Sequence, residues 1–319
     1  MDISIIIPVY NEEKNIPILH KKLKDVLTRL NKSYEIIYVD DGSTDSSFSV
    51  LKKIADRDET VTIIKLRKNF GQTSALDAGF KNSTGSIIIT IDADLQNDPE
   101  DIPKLIEKLE EGFDVVSGWR YKRKDPFSKK IFSRISNYLR RKLTREIIHD
   151  SGCTLKAYKR ICIKDLDLYG EMHRYIPTLL RWKGFKITEI KVKHYPRKYG
   201  KTKYNYKRLI RGLLDLLSAK FWLDYSTRPL HFFGTIGLLL ILIGTILAIL
   251  NMGYYLFILK KLFSVGPILL LSSLFILTGI QFLLFGFLAD IEIKTYYSSE
   301  KTYNIEKIYK AKSSYKNQL

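Results

Sequence analysis

The sequence predicts an α/β fold with a mostly parallel sheet, followed by an amphipathic interface helix and a hairpin of two transmembrane helices. Three observations predict this organisation. Strand-like and helix-like stretches alternate before Leu230, the strand-like stretches are continuous runs of Ile and Val, and two long uncharged runs follow Leu230. Continuous apolar strands are typical of parallel sheets that helices cover on both faces.

Five apolar, β-branched runs predict the strands: ISIIIPV, YEIIYVD, VTIIKL, SIIITID and FDVVSG. The stretches between them predict helices, at 13–30, 46–56, 72–82 and 99–110. Ligands of such sheets bind beyond the carboxyl ends of the strands. Those ends carry the polar segments PVYNEE, VDDGSTD and DADLQ, so the first predicted domain, residues 1–204, is expected to have its site there.

Residues 205–230 predict a basic amphipathic helix. Leu209, Leu213 and Phe221 recur near helical spacing, and Lys207 and Arg211 lie elsewhere around the helix. Such a helix directly before a membrane span is typical of one that lies in the membrane interface. A packed surface helix is the alternative interpretation.

Two uncharged runs, 232–259 and 262–289, predict transmembrane helices within a region spanning 231–290. Each exceeds the roughly 20 residues needed to cross a bilayer core. The turn KKLFSVG is short, so both flanks face the same side. The flanks are rich in Lys and Arg, which places the first domain and the tail, 291–319, in the cytoplasm of a two-span membrane protein. A pair of buried core helices is the alternative.

Composition points to anionic partners. The chain has 53 Lys+Arg against 34 Asp+Glu, a net charge of +19, which suits nucleic acid, phosphate-bearing ligands or an acidic membrane surface. Cys153 and Cys162 have neither zinc-site nor disulfide-framework spacing, which favours a reducing compartment. The opening MDISIIIPVY lacks the basic region of a signal peptide.

The segment DADLQ indicates a metal site. In an extended segment Asp92, Asp94 and Gln96 project to the same side, and three hard oxygen ligands suit Mg²⁺ or Mn²⁺. A second carboxylate pair, Asp40 and Asp41, ends another predicted strand. For the acids further along, Asp98 and Asp101, helix capping is the alternative function.

Successive segments of the chain resemble one enzyme family. SIIIPVYNEEKNI, YEIIYVDDGSTDSS, NFGQTSALDAGF and TIDADLQNDPEDIP are similar to the motifs of family 2 glycosyltransferases with the GT-A fold. SGWRYKR, HDSGCTLKAY, LYGEMHRYIP and RKYGKTKY, followed by two spans, resemble its polyprenyl-phosphate branch, the relatives of dolichol-phosphate mannose synthase. The resemblance extends from Ser4 to about Tyr303.

The resemblance implies roles on the donor side. It implies that four residues hold the nucleoside: Pro8, Tyr10, Glu12 and Asp40. Asp92 matches a carboxylate on the ribose or metal side, and Asp94 with Gln96 match metal ligands on the diphosphate. Arg197 and Lys203 match a basic loop that closes on the diphosphate.

On the acceptor side the resemblance implies that the lipid phosphate is held by Arg120, Lys129, Ser133 and Arg134. The family more often has Arg where Lys129 stands, and Lys lacks the bidentate fork. Asp150 matches a residue proposed as a catalytic base. A phosphate monoester has a second pKa near 6 and is largely ionised at neutral pH, so orienting a basic residue is an equally good role for Asp150.

The expected function is inverting transfer of a hexose-type sugar from a nucleotide sugar to dolichyl or undecaprenyl phosphate. A UDP-sugar is favoured because LYGEMHRYIP resembles bacterial glucosyl and aminoarabinosyl transferases, and GDP-mannose is possible. The resemblance also implies a homo-oligomer, a tetramer. No nucleic-acid partner is expected, because a nucleic-acid binder would not explain two carboxylate pairs at the ends of strands. Two alternatives are a processive polysaccharide synthase, whose QxxRW motif has Thr178 in place of Gln here, and a membrane-anchored nucleic-acid binder.

Overall fold

The computed structural model describes residues 1–121, 148–164, 166, 168, 172–196, 220, 221, 224, 225, 228–260 and 266–297. The chain divides into two compact units, Met1–Ala219 and Lys220–Leu319. The first unit contains a β-sheet with its covering helices, and the second contains two long apolar helices.

The first unit begins as alternating strands and helices, as predicted. In chain order these are β1 (Ile3–Val9), α1 (Ile16–Arg29), β2 (Tyr34–Asp40), α2 (Ser47–Ala55), β3 (Val61–Lys65), α3 (Gln72–Asn82), β4 (Ile87–Thr90), α4 (Ile102–Glu110) and β5 (Val115–Trp119). A 3-10 turn, Pro99–Asp101, precedes α4. The predicted strand SIIITID is shorter than expected, because its last two residues leave the sheet.

Two further strands had no counterpart in the prediction. After β5 the described residues form β6 (Lys156–Lys159), the short helix α5 (Arg160–Ile163), a 3-10 turn (Met172–Arg174), α6 (Ile176–Trp182) and β7 (Ile187–Lys191). Both strands are short and carry charged residues, so they lack the apolar runs that identified the other five.

The described strands form a seven-stranded sheet in the order β3-β2-β1-β4-β6-β5-β7. The pairs β1–β2, β1–β4, β2–β3 and β5–β7 are parallel, whereas β6 runs antiparallel to both β4 and β5. The prediction of a mostly parallel sheet is therefore confirmed. Because β1, β2 and β4 are parallel neighbours, their carboxyl ends meet at one edge of the sheet.

The core lies on both faces of the sheet. Consecutive side chains of β1, Ile5 and Ile6, belong to different buried clusters, one on each face. This explains the continuous Ile run of β1, since neither face of the strand is exposed to water. On α1 the buried residues Leu19, Leu23 and Leu27 recur every four positions and form the face that packs on the sheet.

Asp58, before β3, is expected to make stability depend on acid pH. Burial opposes its ionisation, but hydrogen bonds from Thr60 and Lys24 hold its pKa at about 2, below the usual 3.8. The folded-state pKa is depressed, so the stabilisation is present above the unfolded-state pKa and is lost as pH falls from about 4 through about 2. The shift corresponds to about 2 kcal/mol of unfolding free energy.

Urea unfolding of the wild type and of Asp58→Asn, between pH 5 and pH 2, checks this expectation. The difference in unfolding free energy between the two proteins should shrink by about 2 kcal/mol over that range. A difference that does not change with pH would show that Asp58 does not titrate as the contacts require.

In the second unit, α7 (Pro229–Gly253) continues as a π-helical turn (Tyr254–Ile258), and α8 spans Pro267–Tyr297. Within them Pro229–Ile258 and Pro267–Ile293, 30 and 27 residues long, are long and apolar enough to cross a membrane. The two helices pack closely, since a Cβ added at Gly237 would lie 2.6 Å from the carbonyl oxygen of Gly279. Most of the predicted interface helix, 205–230, lies outside the described residues.

Candidate active site

The polar segments after β1, β2 and β4 meet at the carboxyl edge of the sheet. Asp41 donates its backbone N–H to Val9 O at 2.8 Å, and Ile91 donates to Ile6 O at 3.1 Å. The ends of the three strands are thereby held side by side. The sequence prediction that PVYNEE, VDDGSTD and DADLQ lie together agrees with this geometry.

The loop after β1 is fastened to the loop after β2 by side-chain contacts. Asn11, in the left-handed region with φ 58°, accepts from Thr44 N at 2.8 Å and donates its own N–H to Ser43 Oγ at 3.0 Å. Glu12 N donates to Ser47 Oγ at 2.8 Å. Together with Pro8, the second-last residue of β1, these contacts fix the backbone around Tyr10.

Asp40, the last residue of β2, is buried, and only one of its two carboxylate oxygens accepts a hydrogen bond from the described residues. Its Oδ1 accepts from Ser43 N at 3.0 Å, whereas its buried Oδ2 has no hydrogen-bond partner among the described residues. A buried carboxylate oxygen without a partner is costly and is a good acceptor for an N–H or O–H group of a ligand. This position suits the role in nucleoside binding that the resemblance implies.

Asp41 has a different role, in holding the loop that leads into α3. Its carboxylate accepts from Phe70 N at 2.7 Å and Gly71 N at 2.9 Å. Burial raises the pKa of Asp41, and the neighbouring charge of Asp40 adds to this. The loop after β2 approaches the backbone of Lys68 closely at Gly42. A Cβ at this position would lie only 2.4 Å from the carbonyl carbon of Lys68, so a side chain would not fit.

The acidic segment after β4 is a turn, which corrects the expectation that Asp92, Asp94 and Gln96 share one side of an extended strand. The strand ends at Thr90, and Leu95 is in the left-handed region with φ 62°. The turn is closed by the N–H of Gln96, which donates to Asp94 Oδ1 at 3.1 Å. The pairing of β4 with its neighbours ends at Thr90, so the chain can turn there and bring the carboxylates of Asp92 and Asp94 to the edge of the sheet.

The two carboxylates of this turn lie close enough to interact. Burial raises the pKa of Asp92 to about 7, the charge of Asp94 adds to this, and Thr154, Arg120 and Lys156 oppose it. Gln72 fixes Asp92 by donating its Nε2 to Oδ1 at 2.8 Å. A divalent cation bound here would relieve the repulsion, and the oxygen donors suit Mg²⁺ or Mn²⁺.

The described side chains nevertheless supply too few ligands to complete the coordination of a divalent cation. No cluster of three His, Cys, Asp or Glu side chains with metal-site geometry occurs among the described residues. The carboxylates of Asp92 and Asp94 fit a cation that completes its coordination with water and with phosphate oxygens of a bound nucleotide.

Arg120 and Asp150 form a half-buried bidentate pair beside this turn. Arg120 donates Nε to Asp150 Oδ2 at 2.6 Å and Nη2 to Oδ1 at 2.8 Å. Although burial opposes it, the contacts with Asp150 raise the pKa of Arg120 above its usual value. The guanidinium is thus permanently charged and held in one orientation, and it interacts electrostatically with Asp92.

Other charged residues of the motifs are engaged in structural contacts. Asp98 caps the 3-10 turn by accepting from Glu100 N at 3.3 Å, and Asp101 accepts from Lys193 N at 2.7 Å. His149 stacks on Trp119 with ring centroids 4.4 Å apart. The capping alternative for Asp98 therefore agrees with the structure.

Sequence reasoning assigned no role to Gln72, Thr154 or Lys156, which surround Asp92. All three lie within the quoted motifs NFGQTSALDAGF and HDSGCTLKAY, which is the one signal that could have found them. The remaining predicted site residues lie outside the described part of the chain: Lys129, Ser133, Arg134, Arg197 and Lys203.

Sequence comparison adds an independent finding. Residues 4–167 match the profile of the family described as glycosyl transferase family 2. The chain is 38% identical over 309 residues to dodecaprenyl-phosphate galacturonate synthase of Rhizobium johnstonii, covering 95% of this chain and 91% of that protein. It is 37% identical over 290 residues to undecaprenyl-phosphate 4-deoxy-4-formamido-L-arabinose transferase of Pectobacterium carotovorum, with 91% and 87% covered.

Structural comparison agrees on the fold. Glucosyl-3-phosphoglycerate synthase of Mycobacterium tuberculosis, solved with Mn²⁺, UDP and glucosyl-3-phosphoglycerate, superposes with a TM-score of 0.53. The match covers 70% of this chain and 79% of that chain at 17% identity. The GT-A fold predicted from the motifs is thereby confirmed.

Proposed function

The chain belongs to glycosyl transferase family 2, and on that premise we propose that it transfers a hexose-type sugar from a nucleotide sugar to a polyprenyl phosphate. The product is a lipid-linked monosaccharide. The names of both relatives specify a polyprenyl phosphate, of dodecaprenyl or undecaprenyl length, and the matches extend over nearly the whole chain. The relatives differ in the sugar, so the sugar of this chain is left to experiment.

One observation carries the proposal: the acidic turn with Asp92 and Asp94 lies beside the bidentate pair of Arg120 and Asp150. A sugar transfer between two phosphate groups needs both features. A cation-binding group must receive the leaving diphosphate, and a fixed positive charge must receive the attacking phosphate. Without cations between them, the two anions would repel each other at contact distance.

The residues divide the chemistry between them. An oxygen of the lipid phosphate attacks the anomeric carbon, the bond from that carbon to the diphosphate oxygen breaks, and the nucleoside diphosphate leaves with the bonding electrons. Asp40, whose Oδ2 has no hydrogen-bond partner among the described residues, accepts a hydrogen bond from the nucleoside, and Pro8, Tyr10 and Glu12 also hold the nucleoside. Arg120 orients the lipid phosphate. Attack from the side opposite the leaving group inverts the anomeric centre.

Asp150 acts in this proposal as a positioning residue rather than as a base. The lipid phosphate is largely ionised at neutral pH, because its second pKa is near 6, so no base is required. Both carboxylate oxygens of Asp150 already accept from Arg120. This arrangement fixes the direction in which the guanidinium meets the acceptor.

Asp92, Asp94 and Gln96 would hold Mg²⁺ or Mn²⁺ against the nucleotide diphosphate. A bound divalent cation supplies positive charge that stabilises the leaving diphosphate. Arg197 and Lys203, on the donor side, and Lys129, Ser133 and Arg134, on the acceptor side, complete the proposed site.

The proposed topology is a two-span membrane protein with both termini in the cytoplasm, assembled as a homo-oligomer. Tags placed at the C-terminus and within residues 1–121 should both be modified by a reagent confined to the cytoplasmic side, because the two spans form a hairpin. Protection of one tag and not the other would contradict the hairpin.

A screen of nucleotide sugars tests the function. Purified protein should release nucleoside diphosphate from one sugar, with a UDP-sugar expected before GDP-mannose, only when undecaprenyl or dolichyl phosphate and Mg²⁺ or Mn²⁺ are both present. Release that does not require the lipid would contradict the proposed acceptor. Release that continues in excess chelator would contradict the role of the cation.

A further inference from the structure

Lys156 is a buried cation next to the proposed site. It lies on β6, where it pairs with Thr90 of β4 and Ser117 of β5, and it is 3% exposed. Lysine is almost never this buried unless its charge is compensated. Its Nζ donates to Ser151 O at 3.0 Å and to Cys153 O at 2.5 Å.

The two carbonyls belong to a turn, residues 150–154, that contacts both halves of the site. At its start Asp150 holds the guanidinium of Arg120 through two side-chain hydrogen bonds. At its end the Thr154 hydroxyl faces Asp92 and accepts from Asn97 Nδ2 at 3.2 Å. The 150–154 turn therefore connects Arg120, proposed to bind the lipid phosphate, with Asp92, on the nucleotide side of the site.

We propose that Lys156 is a positioning residue for sugar transfer, which fixes the 150–154 turn and thereby sets Arg120 and Asp92 at the separation that the reaction needs. The inference rests on the proposed function and extends it to a residue to which the sequence motifs assigned no role. Lys156 also places a positive charge near Asp92.

The hydrogen bonds from Lys156 Nζ explain why a side chain without a donor at that position could not hold the 150–154 turn. Methionine fills a similar volume, but it leaves the carbonyls of Ser151 and Cys153 without the ammonium donor, and a buried acceptor without a donor is destabilising. The turn would relax to recover hydrogen bonds, and Asp150 would move with it. A displacement of about 1 Å at a reacting group can cost roughly 100-fold in rate.

The test compares Lys156→Met with Lys159→Met in the full-length protein. Lys159 lies on the same strand but is half-exposed and pairs with Asp114 Oδ1 at 3.0 Å, away from the turn. For Lys156→Met we expect kcat to fall about 100-fold, while the dissociation constant for the nucleoside diphosphate changes less than about threefold. Lys159→Met should keep kcat within about threefold of the wild type.

A double-mutant cycle separates positioning from general loss of structure. If Lys156 acts through the turn, releasing Asp150 first should remove most of what Lys156 contributes. In an Asp150→Asn background Lys156→Met should therefore lower kcat by less than about fivefold, whereas independent residues would give the same factor in both backgrounds. Lys156→Arg, which keeps the charge and the donors, should recover part of the lost kcat.

A folded Lys156→Met protein with kcat within threefold of the wild type would overturn the inference, as would equal factors in the two backgrounds. If Lys156→Met does not fold, Lys156→Gln carries the same comparison with one donor retained, and a normal kcat in that variant overturns the inference too. A wild type without lipid-dependent transfer would instead contradict the proposed function.

Discussion

Asp94→Ala should abolish sugar transfer while leaving the protein folded. The substitution removes an oxygen ligand that we propose for the cation, and a cation that stabilises a departing diphosphate contributes several kcal/mol. A loss of about 4 kcal/mol corresponds to roughly a 1,000-fold lower kcat. The rate of nucleoside diphosphate release at saturating cation and both substrates measures the effect, and a thermal melt checks the fold.

Asp98→Asn is the matched control for that variant. Asp98 lies in the same acidic segment and is buried like Asp94, but its carboxylate caps the 3-10 turn and accepts from Tyr195 OH at 3.0 Å. Asparagine preserves the cap, so kcat should stay within about threefold of the wild type. Turnover by Asp94→Ala at the rate of the control would contradict the metal assignment.

Arg120→Ala should weaken the use of the lipid acceptor without weakening nucleotide binding. The variant removes a fixed charge from the proposed phosphate site and leaves Asp150 as a half-buried carboxylate without its main partner. Charge-assisted hydrogen bonds of this kind contribute about 1.5–3 kcal/mol, so kcat/KM for the lipid should fall about 10- to 100-fold.

Initial rates with varied lipid, together with calorimetry using the nucleoside diphosphate, separate the two effects. Arg160→Ala is the control, because Arg160 donates to Gly85 O at the opposite edge of the sheet. Both kcat/KM for the lipid and nucleotide affinity should be normal in that variant. If Arg120→Ala lost nucleotide affinity and kept normal lipid dependence, the donor and acceptor roles would be reversed.

Much of the fold was predictable because its signals are local. Strands covered on both faces need continuous apolar runs, so β1 and β2 were placed with the bounds that the structure shows. The helix α3 was placed equally well. In contrast, β6 and β7 gave no such signal, because Lys156, Lys159 and Glu189 interrupt them and their place in the sheet depends on contacts distant in sequence.

The sequence predicted that polar segments meet at the carboxyl edge of the sheet, but it did not predict the geometry of those segments. Topology alone brings Asp40 and Asp92 to the same edge of the sheet, since Asp40 ends β2, Asp92 follows β4, and both strands run parallel to β1, which lies between them. The turn at Leu95 could not be predicted, because a leucine with positive φ is adopted only when the surrounding contacts require it. The same holds for the partnership of Arg120 with Asp150, which are 30 residues apart.

The mass of the lipid product after exhaustive reaction tests the central claim most directly. If the site transfers one sugar between a nucleotide diphosphate and a lipid phosphate, the lipid should gain the mass of a single sugar, with one nucleoside diphosphate released for each product molecule. An unchanged lipid mass despite nucleotide release, or a ladder of masses from repeated addition, would contradict the account.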